Sequence, residues 1–336
     1  MSAKRTGAAL AVTVIVIVLL LASGTVAEAQ SVAGAKSKAL TYFHKAQTSG
    51  GGFGASGERA SVTPWVVQAI AAAGKDAAAF RKSGGKSPIT YLQSLDIKRQ
   101  ALSGTGSTRN PAAFYAKMIV TYRSARETAL ITKAGKKRIN LVTSLLAYRS
   151  NQNGSFTTEL NGQGSYASVS TTAWAVIALK AAGKSKSQLA KSVTWLRKRQ
   201  LSSGGFSYTP GGSPDTDSTA AVVQALRAGG VSSTASSIKR ALAYLRSQQS
   251  SNGGFTSGMT STTNAESTAW AIMAIRSANQ NPNGASWKRG GKSPISFLLS
   301  LQSSSGAFYH YGKTLAMPLL TSSQAVVALS GKKYPF

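Results

Sequence analysis

Residues 240–255 read RALAYLRSQQSSNGGF, and this stretch decides the fold because it recurs along the chain. Each copy has a basic residue, an aromatic–aliphatic pair, a Gln and a Gly-x-Phe turn. A degenerate copy around Tyr91-Leu92 has Asp96 where the Gln is expected. A period of about 50 residues indicates an array of supersecondary units. The other copies lie at 38–53 and 191–206, with weaker ones ending at Gly154-Ser155-Phe156 and Gly306-Ala307-Phe308.

A second repeated element follows the first and is Ala-rich and nearly apolar all round, as in a helix buried on most faces. Its copies are TPWVVQAI at 63–70, AAFYAKMI at 112–119, TAWAVIAL at 172–179, TAAVVQAL at 219–226, TAWAIMAI at 268–275 and SSQAVVAL at 322–329. Capping residues are predicted to begin several of these helices, at Ser61, Asn110, Ser170 and Asp217. Glycines are predicted to end four of them, at Gly74, Gly183, Gly229 and Gly331.

The first element is amphipathic, because its apolar residues fall three or four apart in 241–249 while Arg and Gln take the other face. Each repeat is therefore predicted to be an outer amphipathic helix, a Gly-rich turn and an inner apolar helix. Six such hairpins bury their inner helices only by closing into a ring. The sequence predicts an all-α fold at 38–336, an α/α toroid of six helix-hairpin repeats (about twelve helices) around a central cavity.

This pattern resembles the prenyltransferase and squalene-oxidase repeat, the QW motif of triterpene cyclases. The family form is Lys/Arg, aromatic, aliphatic, Gln, then Gly-x-Trp, and here Phe replaces the Trp. The resemblance covers roughly 38–331. The family includes terpene cyclases, prenyltransferase β subunits, cobalamin carriers and thioester domains, so the resemblance implies the toroid and leaves its chemistry open.

The N-terminus is predicted to be a signal peptide over 1–29, followed by a short linker at 30–37. Lys4-Arg5 precede an apolar run at 8–22, and Ala27-Glu28-Ala29 form a cleavage site. The run is short for a spanning helix, although an uncleaved anchor is the alternative. We therefore expect a secreted or envelope-associated protein.

Composition narrows the chemistry further. The chain has no cysteine, which excludes disulfides, thiolate metal sites and the thioester and prenyltransferase zinc chemistry that the resemblance would allow. The two histidines, His44 and His310, lie on or beside outer helices and loops, so no metal site is predicted. No phosphate-binding loop, dinucleotide fingerprint or nucleophile elbow is present, and no cofactor is expected.

The charge is extreme, with 39 basic and 9 acidic residues and a formal net charge of +30. Such a surface attracts polyanions in a salt-dependent way, and anionic cell-envelope polymers or lipid headgroups are the expected partners. Nucleic acid is disfavoured because no recognition module is present. A solubilising surface on a monomer is the alternative. The basic runs are 133–138, 197–199 and 288–292.

Asp215-Thr216-Asp217-Ser218-Thr219-Ala220 resembles the Asp-x-Asp-Asp-Thr-Ala motif of class II terpene cyclases. The resemblance implies that Asp217 is a proton donor and Asp215 its partner, but Ser218 replaces the last Asp. Asp217 also occupies the repeat position of Ser61, Asn110, Ser170 and Glu266, where a helix cap is the favoured interpretation. Asp217 and Glu266 stand at the starts of adjacent inner helices, so a glycosidase-like pair of carboxylates is an alternative interpretation.

Two further sets of residues are candidates for ligand binding. An aromatic residue opens four of the inner helices, and these rings either face the cavity or, as favoured, wedge inner against outer helices. Polar residues one turn later indicate a water-filled cavity. The alternative is that Lys117 extends its side chain to an open end of the ring. The aromatic set is Trp65, Phe114, Trp174 and Trp270, and the polar set is Gln68, Lys117 and Gln224.

Three functions remain open from the sequence. The leading prediction is a secreted, non-catalytic toroid that binds a small molecule in its cavity or an anionic envelope polymer. The first alternative is a terpene cyclase-like or glycan-active enzyme that uses Asp217 and Glu266. The second is a small-molecule carrier like the cobalamin carriers, although these add a closing C-terminal β domain that is not expected from residues 331–336.

Overall fold

The computed structural model describes residues 32–103, 109–159 and 166–336. The predicted signal peptide at 1–29 lies outside these residues. Among the helices of the described ranges, none has both the length and the apolar character needed to cross a membrane.

The described residues form helices with short connections and two small hairpins. In chain order the helices are α1 (32–46), α2 (Arg59–Ala72), α3 (Pro88–Ser94), α4 (Ile97–Ala101), α5 (Pro111–Ser124), α6 (Leu141–Leu146), α7 (Val169–Ala181), α8 (Lys186–Arg197), α9 (Thr216–Ala228), α10 (Ser236–Ser247), α11 (Ala265–Ser277), α12 (Pro294–Ser300) and α13 (Pro318–Leu329). The antiparallel hairpins pair β1 (Ile131–Ala134) with β2 (Lys137–Asn140), and β3 (Phe255–Thr256) with β4 (Thr263–Asn264). Residues 32–37, which the sequence places in a linker, are already helical.

The predicted ring is confirmed. The inner helices α2, α5, α7, α9, α11 and α13 each pack against the next, and α13 packs against α2 to close the circle. Shorter outer helices cover them: α3 packs on α2, α6 on α5, α8 on α7 and α9, α10 on α9, and α12 on α11. The chain is therefore an α/α toroid, with the apolar inner helices shielded on both sides.

The Gly-x-Phe turns join each outer helix to its inner helix through a repeated set of hydrogen bonds. The five Phe side chains are fully buried, and the backbone N–H of each donates to a hydroxyl of the following inner helix over 2.8–2.9 Å. This requirement explains the recurring Thr or Ser two residues before the aromatic position. The pairs are Phe53–Thr63, Phe156–Thr172, Phe206–Thr219, Phe255–Thr268 and Phe308–Ser322.

The repeated Gln links one repeat to the next. Gln249 Nε2 donates to Gly253 O in its own turn over 3.1 Å and to Trp287 O in the next repeat over 2.8 Å. Gln302 makes the same pair of bonds to Gly306 O and to Ala35 O, 267 residues away. A single side chain thus satisfies two buried carbonyls and sets the spacing between neighbours, including across the closure of the ring.

Two of the predicted helix starts are shifted. Asn110 caps α5 as predicted, but Ser168 rather than Ser170 caps α7, and Asp215 rather than Asp217 caps α9. Asp215 Oδ1 accepts the Ser218 N–H over 2.7 Å. Ser168 and Asp215 have extended backbone and bond to the Phe of a repeat turn, so each of these two caps lies two residues earlier than the repeat alignment indicates. The capping interpretation of Asp217 is therefore wrong.

The other ends differ in smaller ways. Within the described chain, α2 has no side-chain cap, and Ser61 lies inside its first turn. Gly74, Gly183 and Gly331 follow their helices with φ values of 82°, 86° and 71°, as predicted. After α9 the left-handed residue is Gly230, with φ 94°, and not Gly229.

Aromatic rings occupy the axis, so the predicted central cavity does not run through the ring, and the space that remains lies at the end where the inner helices begin. Trp174 lies between Trp65 and Trp270, with ring centroids 5.4 and 5.5 Å away. Tyr334, from the segment after α13, inserts against Trp174 and Trp270 at 5.4 and 5.7 Å and is 3% exposed. The three tryptophans stand on alternate inner helices, α2, α7 and α11, so their mutual contacts place the rings on the axis.

Candidate active site

The candidate site lies at the end of the ring where the six inner helices begin, which we call the mouth. Its floor is the tryptophan row, Trp65, Trp174 and Trp270, one or more turns into the helices. The opposite end is closed by Tyr334, whose hydroxyl donates to Gln68 Oε1 over 2.6 Å and whose N–H donates to Gln224 Oε1 over 2.9 Å. Gln68 and Gln224 therefore hold this segment and do not face an open cavity.

Asp217 is the second residue of α9, at the mouth end of that helix, and one of its carboxyl oxygens is enclosed. Its Oδ1 has no hydrogen-bond partner in the part of the chain that the structure describes. Burial raises the pKa of the carboxyl to about 7, and the charges of Asp215 and Glu266 act in the same direction. The Ser267 side chain and His310 oppose this shift. Near neutral pH the carboxyl thus holds a proton that it can give away.

Glu266, His310 and Thr321 form the neighbouring group. Glu266 Oε2 lies 2.6 Å from His310 Nδ1, and Oε1 accepts a hydrogen bond from the Thr321 hydroxyl. The side chains of Glu266 and His310 are 13% and 30% exposed. Glu266 lies close enough to Asp217 for its charge to raise the pKa of Asp217, and the partly exposed His310 bonds to Glu266.

His310 and Thr321 are the residues that sequence reasoning missed. His310 stands two residues after Phe308, and its carbonyl accepts the Ala265 N–H at the start of α11 over 2.8 Å. Tyr208 and Ser257, each two residues after a turn Phe, contact the preceding inner helix in the same way. The position two residues after the turn Phe was the signal that the sequence offered, because it places each such residue beside the first turn of the inner helix of the previous repeat.

Asp215 has a structural role. Burial raises the pKa of its carboxyl, while the N–H of Ser218, which it caps, lowers it. Tyr244, beside it, donates its hydroxyl to Pro214 O over 2.9 Å. These bonds fix the entry into α9 and so aim Asp217 at the mouth.

Lys117, on α5, is the cation of the mouth. Its Nζ donates to Ser61 O over 3.1 Å and lies 5.7 and 5.6 Å from the ring centroids of Trp65 and Phe114. Burial lowers the pKa of this amine to about 8. It borders two cavities of about 310 and 270 Å³, both of which also reach Trp65. The interpretation of Trp65 and Phe114 as wedges between inner and outer helices does not hold at these positions, since both line cavity space.

No group of three or more His, Asp or Glu side chains in the described ranges is arranged to hold a metal ion. The described side chains at the mouth offer carboxyl groups, a histidine, a lysine and aromatic rings. The Asp217 side offers proton transfer, and the Lys117 side offers a positive charge beside apolar space.

Comparisons with known proteins agree with this architecture. Residues 139–246 match the family model of the squalene-hopene cyclase N-terminal domain, and residues 222–317 match that of the prenyltransferase alpha-alpha toroid domain. The sequence matches no curated protein.

Solved structures share the fold at low identity. The type II terpene cyclase MstE from Scytonema is 14% identical over 90% of this chain and 98% of its own, with a TM-score of 0.64. A glycosidase variant is 12% identical over 90% and 96%, with a TM-score of 0.61. The ent-copalyl diphosphate synthase from Streptomyces platensis is 18% identical over 81% of this chain and 50% of its own, with a TM-score of 0.52. With its repeats and its matches to the squalene-hopene cyclase and prenyltransferase models across residues 139–317, the chain resembles the prenyltransferase and terpene cyclase-like family, and the solved structures share its α/α-toroid fold.

Proposed function

We propose that this protein is an enzyme whose reaction begins with proton transfer from the Asp217 carboxyl to a substrate in the mouth. The observation that supports this proposal most is the enclosed, unpartnered Oδ1 of a carboxyl whose pKa is raised to about 7. Such a group lowers stability without a structural return, and strongly perturbed acids of this kind cluster at functional sites. This proposed catalytic role replaces the non-catalytic function that the sequence favoured.

The neighbouring groups support a complete proton cycle. Once Asp217 has given its proton to the substrate, its carboxylate stands close to Glu266 and Asp215, and mutual repulsion favours taking a proton back. His310 bonds to Glu266 and is partly exposed, so it provides a route for protons from solvent. The substrate cation would end the reaction by losing a proton, or by adding water and then losing a proton, and this proton returns to the Asp217 carboxylate or to solvent.

The floor of the mouth favours an unsaturated, isoprenoid-type substrate. Protonation of an alkene or epoxide leaves a carbocation, and the faces of Trp65, Trp174 and Trp270 stabilise positive charge. The structural neighbour MstE is known in complex with geranylgeranyl dihydroxybenzoate as its substrate. Because the tryptophans and Tyr334 fill the axis, such a substrate would lie across the mouth and not along the ring.

The test compares Asp217→Asn with Asp215→Asn in residues 30–336. Product formation from prenyl alcohols, prenyl phosphates and aryl-prenyl compounds would be followed by mass spectrometry. General acid catalysis contributes typically about 10²- to 10⁴-fold, so Asp217→Asn is expected to lose turnover by at least the lower factor. Asp215→Asn keeps the cap and removes only the smaller charge contribution to the pKa of Asp217, so it is expected to lose far less turnover. Full activity of Asp217→Asn would refute the proton-donor role.

A substrate-independent measurement addresses the same point. In ¹³C NMR with labelled aspartate, one carboxyl resonance is expected to titrate near pH 7 and to be missing in Asp217→Asn. If the missing resonance titrates near pH 4, the carboxyl is an ordinary surface acid and the proposal fails.

A second candidate function is binding of an anionic polymer by the β1–β2 hairpin of an exported protein. Lys133 lies directly opposite Arg138 in this hairpin, and such like-charged pairs are destabilising. With Lys136 and Lys137 they border a groove of about 740 Å³. Polyphosphate binding should fall with salt, and it should be lost when these four residues are replaced by Gln. Binding unchanged by the replacement would exclude the hairpin.

A further inference from the structure

We propose that Lys117 anchors a binding site for an amphipathic anion, with the anionic group on the ammonium and the apolar body in the cavity between the first turns of α2 and α13. This site extends the proposed function by naming the class of molecule that the mouth takes. It requires binding only, so it can hold or fail independently of proton transfer at Asp217.

The first argument is the missing counter-ion. An ammonium carries three N–H donors, and the hydrogen bonds of Lys117 within the described chain use one of them, to Ser61 O. Two aromatic faces support the charge without accepting a conventional hydrogen bond. No carboxylate among the described residues lies within 4.0 Å of its Nζ. A cation held in this way has unused donors and a net attraction for an anion.

The second argument is the shape and lining of the space beside it. The cavity of about 270 Å³ is walled chiefly by Tyr42, Val62, Trp65, Pro318, Leu319 and Leu320, with Ser61 and Lys117 at one side. Glu58 is its acidic member, and Glu58 Oε1 accepts the Ala55 N–H of its own turn over 3.1 Å. Apolar walls with a few convergent polar groups are typical of small-molecule sites.

The third argument is the contrast with the cavity on the other side of Lys117. That cavity, of about 310 Å³, has a mixed lining, in which Gln100, Ser103 and Asn110 stand beside apolar residues such as Phe114 and Trp174. The ammonium therefore lies between a mixed cavity and a more apolar one. A ligand with a hydrocarbon body and an anionic head matches this boundary, whereas a fully polar anion would leave the apolar cavity unfilled.

The test is calorimetric titration of residues 30–336 with dodecanoate below its micellar concentration. Dodecanol is the uncharged match, and dodecyl phosphate and inorganic phosphate show whether the head or the body dominates. Lys117→Met keeps the length of the side chain and removes the charge, and Lys117→Arg restores a cation. Because the chain is strongly basic, Lys239→Met on the exposed face of α10 is the control for general attraction.

The wild type is expected to bind dodecanoate and dodecyl phosphate at a single site. Lys117→Met is expected to bind them at least about 10-fold more weakly, while Lys117→Arg and Lys239→Met bind nearly as the wild type does. Dodecanol should bind wild type and Lys117→Met equally. Absence of dodecanoate binding to the wild type, or equal binding by Lys117→Met, would overturn the proposal. The Asp217 titration described above would be unaffected by either result, so the two proposals fail separately.

Discussion

The repeat turns and the mouth differ in how far their side chains recur from one repeat to the next. In the turns, the same groups recur: a fully buried Phe, a hydroxyl that accepts its N–H, and a Gln that bonds two carbonyls. In the mouth, the ionisable groups differ from helix to helix, with Lys117 on α5, Asp217 on α9 and Glu266 on α11, and Asp217 Oδ1 has no partner in the described chain. What recurs in this molecule therefore maintains the ring, and what differs between repeats is available for chemistry. The predictions below test that division, from the largest effect to the smallest.

The largest effect is expected in the turns. Phe255→Ala removes a fully buried ring between an outer and an inner helix, and such changes typically lower the free energy of unfolding by about 3–5 kcal/mol. Urea unfolding monitored by circular dichroism measures the loss. Phe255→Leu, which retains most of the volume, should lose clearly less. Equal losses for the two variants would show that the ring itself is not what the turn requires.

A smaller effect is expected when the turn keeps its Phe but loses the acceptor. Thr219→Val preserves the shape of the side chain and leaves the buried Phe206 N–H unpaired, which should cost about 1–3 kcal/mol. Thr219→Ser retains the hydroxyl and is the matched control, with most of the stability kept. If the Val variant unfolds at the same urea concentration as the wild type, the hydrogen bond is dispensable.

In the mouth, unlike in the turns, a substitution is expected to raise the free energy of unfolding. The pKa of Asp217 is 3.8 in the unfolded reference and about 7 in the ring, so between these values the unfolded chain ionises while the folded one keeps its proton. Asp217 therefore makes the protein less stable as pH rises from about 4 to about 7, with a constant deficit above that. Asp217→Asn should be more stable than the wild type at pH 8, by up to about 4 kcal/mol for the full shift, and similar to it at pH 4.

Thermal unfolding of both proteins across this pH range provides the measurement, and their difference removes the contribution of the basic surface. A variant that loses both activity and this pH-dependent deficit would show that the mouth gives up stability for function. A constant difference at all pH values would contradict the raised pKa.

The smallest effect is expected at the boundary between the two regions. Asp215 caps α9 and takes part in a turn, so Asp215→Asn should change the free energy of unfolding by less than about 0.5 kcal/mol, because Asn caps as well as Asp. Asp215→Ala should cost about 1 kcal/mol for the lost cap. A large loss in the Asn variant would indicate that its charge matters, as in a catalytic pair.

Sequence reasoning reached the ring because that information is repeated. The period, the buried Phe and the alternation of amphipathic and apolar helices each appear several times, and each copy supports the others. The start of α9 was misplaced by two residues, because aligning repeats by their apolar cores does not locate the extended residue that pairs with a turn. That shift concealed the distinction between Asp215, the cap, and Asp217, the acid.

The other features that the sequence did not predict are not marked by the repeated pattern. Tyr334 follows the last repeat, so no periodic pattern indicates that it fills the axis and occupies Gln68 and Gln224. The inward direction of Trp174 depends on how much room six packed helices leave at their centre, which is a property of the closed ring. His310 reaches Glu266 from the neighbouring repeat, and only the three-dimensional packing brings these two residues together.

The Gln302 bond to Ala35 has a consequence for the order of assembly. Gln249 connects backbone groups 38 residues apart, whereas Gln302 makes the equivalent connection over 267 residues. Since the entropy lost in closing a chain segment grows with the logarithm of its length, this last joint carries a deficit of about 2 kcal/mol relative to the others. The early repeats can associate while the chain is still emerging, but the circle cannot shut before its final helix arrives. The junction between α13 and α2 is therefore expected to be the last to form and the first to open.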